Sequence, residues 1–185
     1  LDAQSEGVVR MKRRVLMAAT ATALLVGCAA PTPADYAQQM PLLDLKTYFN
    51  GDLVGHGMFA DRSGKVQRRF VVDLKAYWQG DQGTLEEDFR YSDGKTERRV
   101  WRLVSHGNRR STGPADDVVG AAEGQAAGNA LNWRYTLRLP VDGSVYEVEF
   151  DDWMFLIDEQ VMLNKAVMSK FGIRLGEVTL AFRRK

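Results

Sequence analysis

Apolar and polar residues alternate over long stretches of the chain after residue 45. The alternation is clearest in Phe70–Trp78, Leu131–Leu139 and Tyr146–Phe150, where every second side chain is apolar. A period of two places one set of side chains on a buried face and the other toward water, as in a β-strand. The pattern predicts strands over residues 46–59, 66–78, 84–91, 96–106, 118–127, 130–139, 144–152, 153–158, 160–169 and 173–184.

Turn residues separate these runs and favour hairpins between neighbouring strands. Asp93-Gly94 and Asp142-Gly143 each lie between two alternating runs, and glycine accepts the positive φ that a tight hairpin requires. We expect a polar loop over Asn108–Pro114. The best helical signal, over residues 158–171, fits a strand equally well.

A series of hairpins leaves unpaired strand edges unless the sheet closes on itself. We therefore predict an all-β fold for residues 45–185, either an antiparallel up-and-down β-barrel or a strongly curved sheet, lipocalin-like in outline. A body of this length suits about eight to ten strands in a single domain.

The N-terminal region has the pattern of a secretory signal. The basic segment Met11–Arg14 precedes the short apolar run Val15–Val26, which is too short to span a bilayer. Cys28 follows Leu-Val-Gly and resembles the lipobox of bacterial lipoproteins, which implies cleavage before Cys28 and lipidation of its thiol. The alternative is an ordinary signal peptide with a chance cysteine.

These features divide the chain into three parts. We expect residues 1–27 to comprise upstream residues and a lipoprotein signal peptide, with Met11 as the true start. Residues 28–44 would carry the lipid and form a flexible tether, because three prolines keep this segment extended. In lipoproteins of this type, the absence of Asp after the cysteine favours the outer membrane, so we expect a lipid-anchored protein of the bacterial envelope facing the periplasm.

Composition mainly excludes classes of function. The 25 basic and 24 acidic residues nearly balance, which gives no reason to expect nucleic acid as a partner. One cysteine and two histidines leave no disulfide framework and few means of building a metal site. No catalytic triad, cofactor loop or metal cluster is readable, so we expect no enzyme, no cofactor and no metal.

Two groups of residues are candidates for binding a ligand. Tryptophans on predicted strands could line an apolar cavity, or they could fill a closed core. Some charged residues share the apolar face, where an unpaired charge is costly. They could form a polar cluster at one barrel end that holds a ligand head group, or they could reach water or form structural ion pairs. The candidate residues are Arg68, Glu87, Arg99, Asp152, Trp78, Trp101 and Trp133.

Several strings along the body together resemble a known family. They are Tyr48-Phe49-Asn50-Gly51, Gly57-Met58-Phe59-Ala60-Asp61-Arg62, Arg68-Arg69-Phe70, Tyr91-Ser92-Asp93-Gly94, Gly128-Asn129-Ala130-Leu131, Asp151-Asp152-Trp153-Met154 and Phe171-Gly172-Ile173-Arg174-Leu175-Gly176-Glu177. Their order and spacing are similar to those of uncharacterised proteobacterial lipoproteins that contain domain of unknown function 3833. Members are often encoded near enzymes of the cyclopropane-fatty-acyl-synthase type, so the resemblance implies an envelope or lipid role and no catalytic residues.

These observations together predict a membrane-anchored binding or accessory protein for a lipid, a fatty-acyl group or another hydrophobic ligand. The alternative is a structural or assembly protein of the envelope that binds another protein and no small molecule. The expected partners are the membrane, through the lipid anchor, and the hydrophobic ligand.

Overall fold

The computed structural model describes residues 30–141 and 143–185. The predicted signal peptide and the predicted lipidation site at Cys28 lie outside these residues. Residues from Thr32 to Lys185 form one compact unit. Within the part of the chain that the structure describes, no helix is long and apolar enough to cross a membrane.

Ten antiparallel strands form a closed barrel, each hydrogen-bonded to the next in sequence and the last to the first. The predicted all-β, lipocalin-like barrel is therefore confirmed, and closure leaves no free sheet edge. The strands are β1 (Gly51–Asp61), β2 (Val66–Gln79), β3 (Gln82–Tyr91), β4 (Thr96–Ser105), β5 (Arg110–Gly113), β6 (Ala122–Ala127), β7 (Ala130–Val141), β8 (Ser144–Leu156), β9 (Val161–Lys170) and β10 (Ile173–Arg184).

The alternation read from the sequence determines which side chains face inward. On β3, Leu85, Glu87 and Phe89 are buried, whereas the intervening Asp88 is exposed. Adjacent strand residues point to opposite faces, so a single polar residue in the inward set is placed inside the barrel. Asp152 on β8 reaches the interior in this way, next to the buried Phe150.

Some strand boundaries differ from the prediction. The expected polar loop at 108–114 contains β5, which is only four residues long and pairs with β4 and β6. The segments 144–152 and 153–158 form one continuous strand, β8. The start of the predicted strand 46–59 is instead a short helix, α1 (Leu45–Tyr48), because an Asp44 carboxylate oxygen accepts a hydrogen bond from the Thr47 backbone amide.

The segment before α1 packs against the barrel. Residues Pro33–Tyr36 form a single 3₁₀ turn, and the Tyr36 ring lies 5.1 Å from that of Phe155. The Leu43 amide donates to the Gly128 carbonyl at 2.8 Å, and the Leu43 side chain is buried. Part of residues 32–44, which belong to the predicted flexible tether, thus packs against β6, β7 and β8 and buries apolar surface there.

One end of the barrel is closed by α1 and the residue that follows it. The Tyr48 hydroxyl donates to the backbone carbonyls of Gln160 and Phe182, at 3.1 and 3.2 Å. The Phe49 ring lies 5.6 Å from that of Phe182. We call this the closed end; the opposite end, which carries the β1–β2, β3–β4, β7–β8 and β9–β10 turns, is the open end.

Candidate functional site

The barrel interior contains a cavity of about 1020 Å³. Leu45 and Phe49 line it at the closed end. At the other end its lining includes the exposed residues Gln67, Lys95 and Val141, so the cavity reaches solvent at the open end. Side chains therefore do not fill this barrel, and of the two alternatives for its aromatic residues the cavity is the one observed.

Glycines on the inner wall explain part of the available space. A Cβ built on Gly57 of β1 would overlap the ring of Phe70, its direct partner on β2. On the other side, a Cβ on Gly124 or Gly113 would overlap the ring of Trp133. These large rings thus occupy space that a side chain at the glycine would otherwise fill, which leaves room at the centre of the barrel.

Most of the cavity wall formed by β1, β2, β9 and β10 is apolar. Because these side chains offer no hydrogen bond, this part of the wall suits an aliphatic or aromatic ligand. Its principal residues are Phe59, Phe70, Met168, Val178, Leu180 and Phe182.

The wall formed by β3, β4, β7 and β8 carries polar groups. Arg99 donates to the Asp117 carboxylate at 2.7 Å, and its guanidinium lies 3.9 Å from Glu87. The indole Nε1 of Trp101 donates a hydrogen bond to the same Glu87 carboxylate, at Oε2. We call this row the polar strip; it consists of Asp117, Arg99, Glu87, Trp101, Tyr135 and Asp152.

Burial and neighbouring charges have opposite effects on the pKa values of Glu87 and Arg99. Burial raises the pKa of the Glu87 carboxyl, against the opposing effects of Arg99 and the Trp101 hydrogen bond. Burial would lower the pKa of Arg99, but Glu87 and Asp117 hold it above its usual value. Arg99 is therefore a permanent cation whose charge is already balanced by its carboxylate neighbours.

Tyr135 connects this ion-paired region to Asp152. Its ring lies 5.3 Å from that of Trp101 and stacks on Phe150 at 4.9 Å. Its hydroxyl donates to Asp152 Oδ2 over a long 3.5 Å, and Asp152 Oδ1 has no partner among the described residues. Burial, reinforced by the nearby Asp151, raises the pKa of Asp152 to about 8, so its carboxyl is largely protonated at pH 7.

The polar strip extends into the cavity from the open end. Arg99 lies near the start of β4, which begins at the open end. Asp152 lies near the other end of β8, closer to Leu156 than to Ser144. The ion pair is thus close to the mouth of the cavity, and Asp152 lies deeper.

The structure places six of the seven predicted residues in the cavity wall: Arg68, Glu87, Arg99, Asp152, Trp101 and Trp133. Trp78 is not among the lining residues, because its ring covers Gly83 and its indole donates to the Phe49 carbonyl. Arg68 does not join the polar strip; it pairs with Asp93 and stacks on Tyr91 near the mouth.

Two members of the polar strip were missed by the sequence analysis. Tyr135 shares the inward parity of Trp133, so the alternation could have indicated it. Asp117 lies in a loop, and only the tertiary fold brings it to Arg99. Among residues 30–141 and 143–185, no group of three or more His, Cys, Asp and Glu side chains is arranged to hold a metal ion.

Two solved structures share this fold at low sequence identity. A protein of unknown function from the DUF3598 family of Nostoc punctiforme matches with a TM-score of 0.55 and 14% identity, over 84% of this chain and 53% of that chain. This chain thus spans about half the length of that relative. The S-type phycobiliprotein lyase of Guillardia theta matches with a TM-score of 0.52 and 6% identity, over 84% and 99% of the two chains.

The sequence comparisons give two further results. No curated protein matches the chain. The family described as "Protein of unknown function (DUF3833)" matches residues 22–184, which is most of the chain.

Proposed function

The chain therefore belongs to the DUF3833 family, and we propose that it is a binding protein that holds a hydrophobic small molecule inside its barrel. The observation that carries the proposal is the cavity of about 1020 Å³, apolar on one wall and polar along the other. Ligand sites in proteins typically have about 300–1,000 Å³ and a few polar groups in an apolar lining.

The fold alone does not distinguish a binding protein from an enzyme, since a phycobiliprotein lyase has a similar barrel. We propose binding because the charged groups of the polar strip are mainly engaged with one another. Among the residues that line the cavity, none is a histidine, serine or cysteine that could form a nucleophile–base pair. The proposed role requires no cofactor and no metal.

We place the protein at the bacterial cell envelope through lipidation of Cys28. The basic segment, the short apolar run and the lipobox-like string before Cys28 support this placement. Absence of Asp at position 29 favours the outer membrane, with the barrel facing the periplasm. A barrel tethered in this way would be positioned to exchange a lipid with the bilayer, which makes a lipid the favoured class of ligand.

The binding function is tested with two matched substitutions on β10. Val178 lines the cavity, whereas the exposed Thr179 does not. After mild detergent extraction of the full chain from a proteobacterial host, native mass spectrometry should find a hydrophobic molecule bound to the wild type and to Thr179→Trp. Val178→Trp should fill the cavity and lose that molecule. Equal occupancy in all three, or none in the wild type, would contradict the proposal.

The anchor is tested by Cys28→Ser. We expect the variant to lose its acyl mass and leave the membrane fraction, while the wild type remains in it. A variant that fractionates with the membrane as the wild type does would overturn the placement.

The second candidate is an envelope assembly protein that binds another protein. It is favoured by apolar side chains exposed at the open end, where Phe171 is 87% exposed and Val145 and Ile173 are also uncovered. Crosslinking in cells should then recover one stoichiometric protein partner, and Phe171→Ser should abolish its recovery. Failure to recover such a partner would remove this candidate.

A further inference from the structure

The deep part of the cavity allows a further inference, which rests on the proposed binding function. Asp152 is only 6% exposed and lines the cavity wall. Among residues 30–141 and 143–185, one of its carboxyl oxygens has no partner, and the other receives only the long hydrogen bond from Tyr135. Leaving a buried carboxyl with so few hydrogen bonds costs free energy, which a polar group of a ligand would recover.

The charges of the polar strip limit what that polar group can be. Arg99 is the cation within the strip, and three carboxylates lie within 4 Å of it: Asp117 at 2.7 Å, Glu97 at 3.4 Å and Glu87 at 3.9 Å. Its charge is therefore already compensated. A ligand carboxylate placed beside Asp152 would lose its hydration without gaining an unpaired cation in return, which is costly for a buried charge.

Cations elsewhere in the cavity lining do not change this conclusion. Arg68 pairs with Asp93 at 2.9 Å, and Arg98 pairs with Glu86 and Asp88. Lys95, between β3 and β4, and Arg138, near the end of β7, also line the cavity. All four cations lie near the open end, away from Asp152. Within the part of the chain that the structure describes, the deep part of the cavity thus offers hydrogen-bonding groups but no unpaired positive charge.

A hydroxyl group fits these requirements. Its hydrogen can be donated to the Asp152 carboxyl, and its oxygen can accept from the Tyr135 hydroxyl. The neighbouring surface is apolar: Trp133 is the direct cross-strand partner of Asp152, and Phe150 stacks on Tyr135. An alkyl chain that leaves the hydroxyl would pack against these rings.

We propose that Asp152 and Tyr135 bind the hydroxyl end of a neutral aliphatic ligand, so that the cavity selects an alcohol over the carboxylate of equal chain length. The ligand class is a long-chain alcohol or another neutral lipid with a terminal hydroxyl. A free fatty acid is discriminated against, although the same apolar wall would accept its chain.

The test uses three probes of equal chain length, namely 1-dodecanol, dodecanoate and dodecane. Their affinities for the full-length protein at pH 7 are measured by the change in tryptophan fluorescence, since Trp101 and Trp133 line the cavity. We expect 1-dodecanol to bind about tenfold more tightly than dodecanoate, because an unpaired buried charge costs more than a satisfied hydroxyl.

Substitutions at Asp152 test whether this residue binds the hydroxyl group of the alcohol. Asp152→Leu should weaken 1-dodecanol binding by about threefold to tenfold while leaving dodecane binding unchanged, as expected for loss of one hydrogen-bonding group. Asp152→Asn should retain the alcohol, because its amide oxygen still accepts. Asp151→Leu is the matched control, since the adjacent Asp151 points to the outer face and pairs with Arg134. Thermal unfolding of each variant verifies that it folds.

The outcomes separate this inference from the proposed function. Equal binding of all three probes would overturn the hydroxyl selectivity but leave a hydrophobic binding function in place. Tighter binding of dodecanoate than of 1-dodecanol would also overturn the inference. So would an Asp152→Leu variant that binds 1-dodecanol as tightly as the wild type does. If no probe binds, both the inference and the proposed function fail.

Discussion

The indole nitrogen of Trp101 donates a hydrogen bond to the carboxylate of Glu87 across 3.1 Å inside the barrel. This contact joins β3 to β4 on the same side as the Glu87–Arg99 ion pair. Glu87 is buried, so its two polar neighbours supply interactions that water would otherwise provide. The polar strip therefore contributes to stability as well as to the proposed site.

The first prediction concerns Arg99. Arg99→Met leaves the buried Glu87 without its cation, and removing one member of a buried ion pair typically costs about 3–5 kcal/mol. We expect a loss of about 3 kcal/mol in the free energy of unfolding, measured with urea, because Glu87 keeps the Trp101 hydrogen bond.

Arg98 provides the control for this measurement. It neighbours Arg99 but points outward, where it pairs with Glu86 and Asp88. Exposed pairs are worth about 0–1 kcal/mol, so Arg98→Met should have a small effect. Similar losses in the two variants would show that the buried pair has no special role.

The second prediction concerns the pH dependence of stability. Burial raises the pKa of Asp152 from 3.8 to about 8, so between these values the folded protein keeps a proton that the unfolded chain releases. Asp152 therefore lowers stability progressively as the pH rises from about 4 to 8, by about 1.4 kcal/mol for each unit of pKa difference at most. Stability at pH 8 should be lower than at pH 5.

Asp152→Asn removes this titration. Thermal unfolding of the variant should show a smaller decline between pH 5 and pH 8, and a higher midpoint than the wild type at pH 8. Part of the decline should persist, because burial also raises the pKa of Glu87. Asp151→Asn, on the outer face, should keep most of the decline, because burial is the larger cause of the raised pKa of Asp152 and Asp151 only adds to it. A decline of equal size in the Asp152→Asn variant would refute the assignment to Asp152.

The third prediction concerns the contact between Gly57 and Phe70. A methyl group at position 57 would overlap the Phe70 ring, so Gly57→Ala should destabilise the barrel by about 1–3 kcal/mol, as overpacking commonly does. Combining it with Phe70→Leu should cost less than the sum of the two separate changes, since the smaller side chain makes room. Strictly additive losses in a double-mutant cycle would exclude this contact as the cause.

The fourth prediction concerns the closed end. Tyr48→Phe removes the hydroxyl that donates to the carbonyls of Gln160 and Phe182. We expect the free energy of unfolding to fall by about 1–2 kcal/mol, because at least one buried carbonyl contact is lost. Tyr77 is a suitable control, since its exposed hydroxyl makes only a 3.3 Å contact with Glu86. Tyr77→Phe should therefore have little effect, and equal effects would argue against a role for Tyr48 in closing the barrel.

Period-two alternation predicted the barrel because inward positions in β2 and β7 repeat without interruption. Turn chemistry was similarly readable, and Gly94 has the positive φ expected for its hairpin. The short β5 was missed because four residues are too few to establish a period. Its pairing is determined by the neighbouring strands β4 and β6.

The members of the candidate site could be predicted where the alternation along a strand alone determines whether a side chain faces inward. Glu87 and Asp152 lie inside the barrel because they fall in step with apolar residues on their own strands. Trp78 has the same inward parity as Val72 and Leu74, but it lies at the end of β2, beyond the cavity floor. The alternation indicates which face of the sheet a side chain occupies but not its height along the barrel axis. The sequence alone therefore could not show that Trp78 lies outside the cavity lining.

The closure of one end by Phe49 fixes the order in which the parts of a ligand enter. With the hydroxyl end held by Asp152, the far end of the chain points back toward the mouth and is the last part to enter and the first to leave. Molecules that are longer than the cavity would project from the mouth without losing their end-group contacts. The barrel would then bind the hydroxyl end of the proposed ligand whatever the length of its chain, and the other end would remain at the mouth.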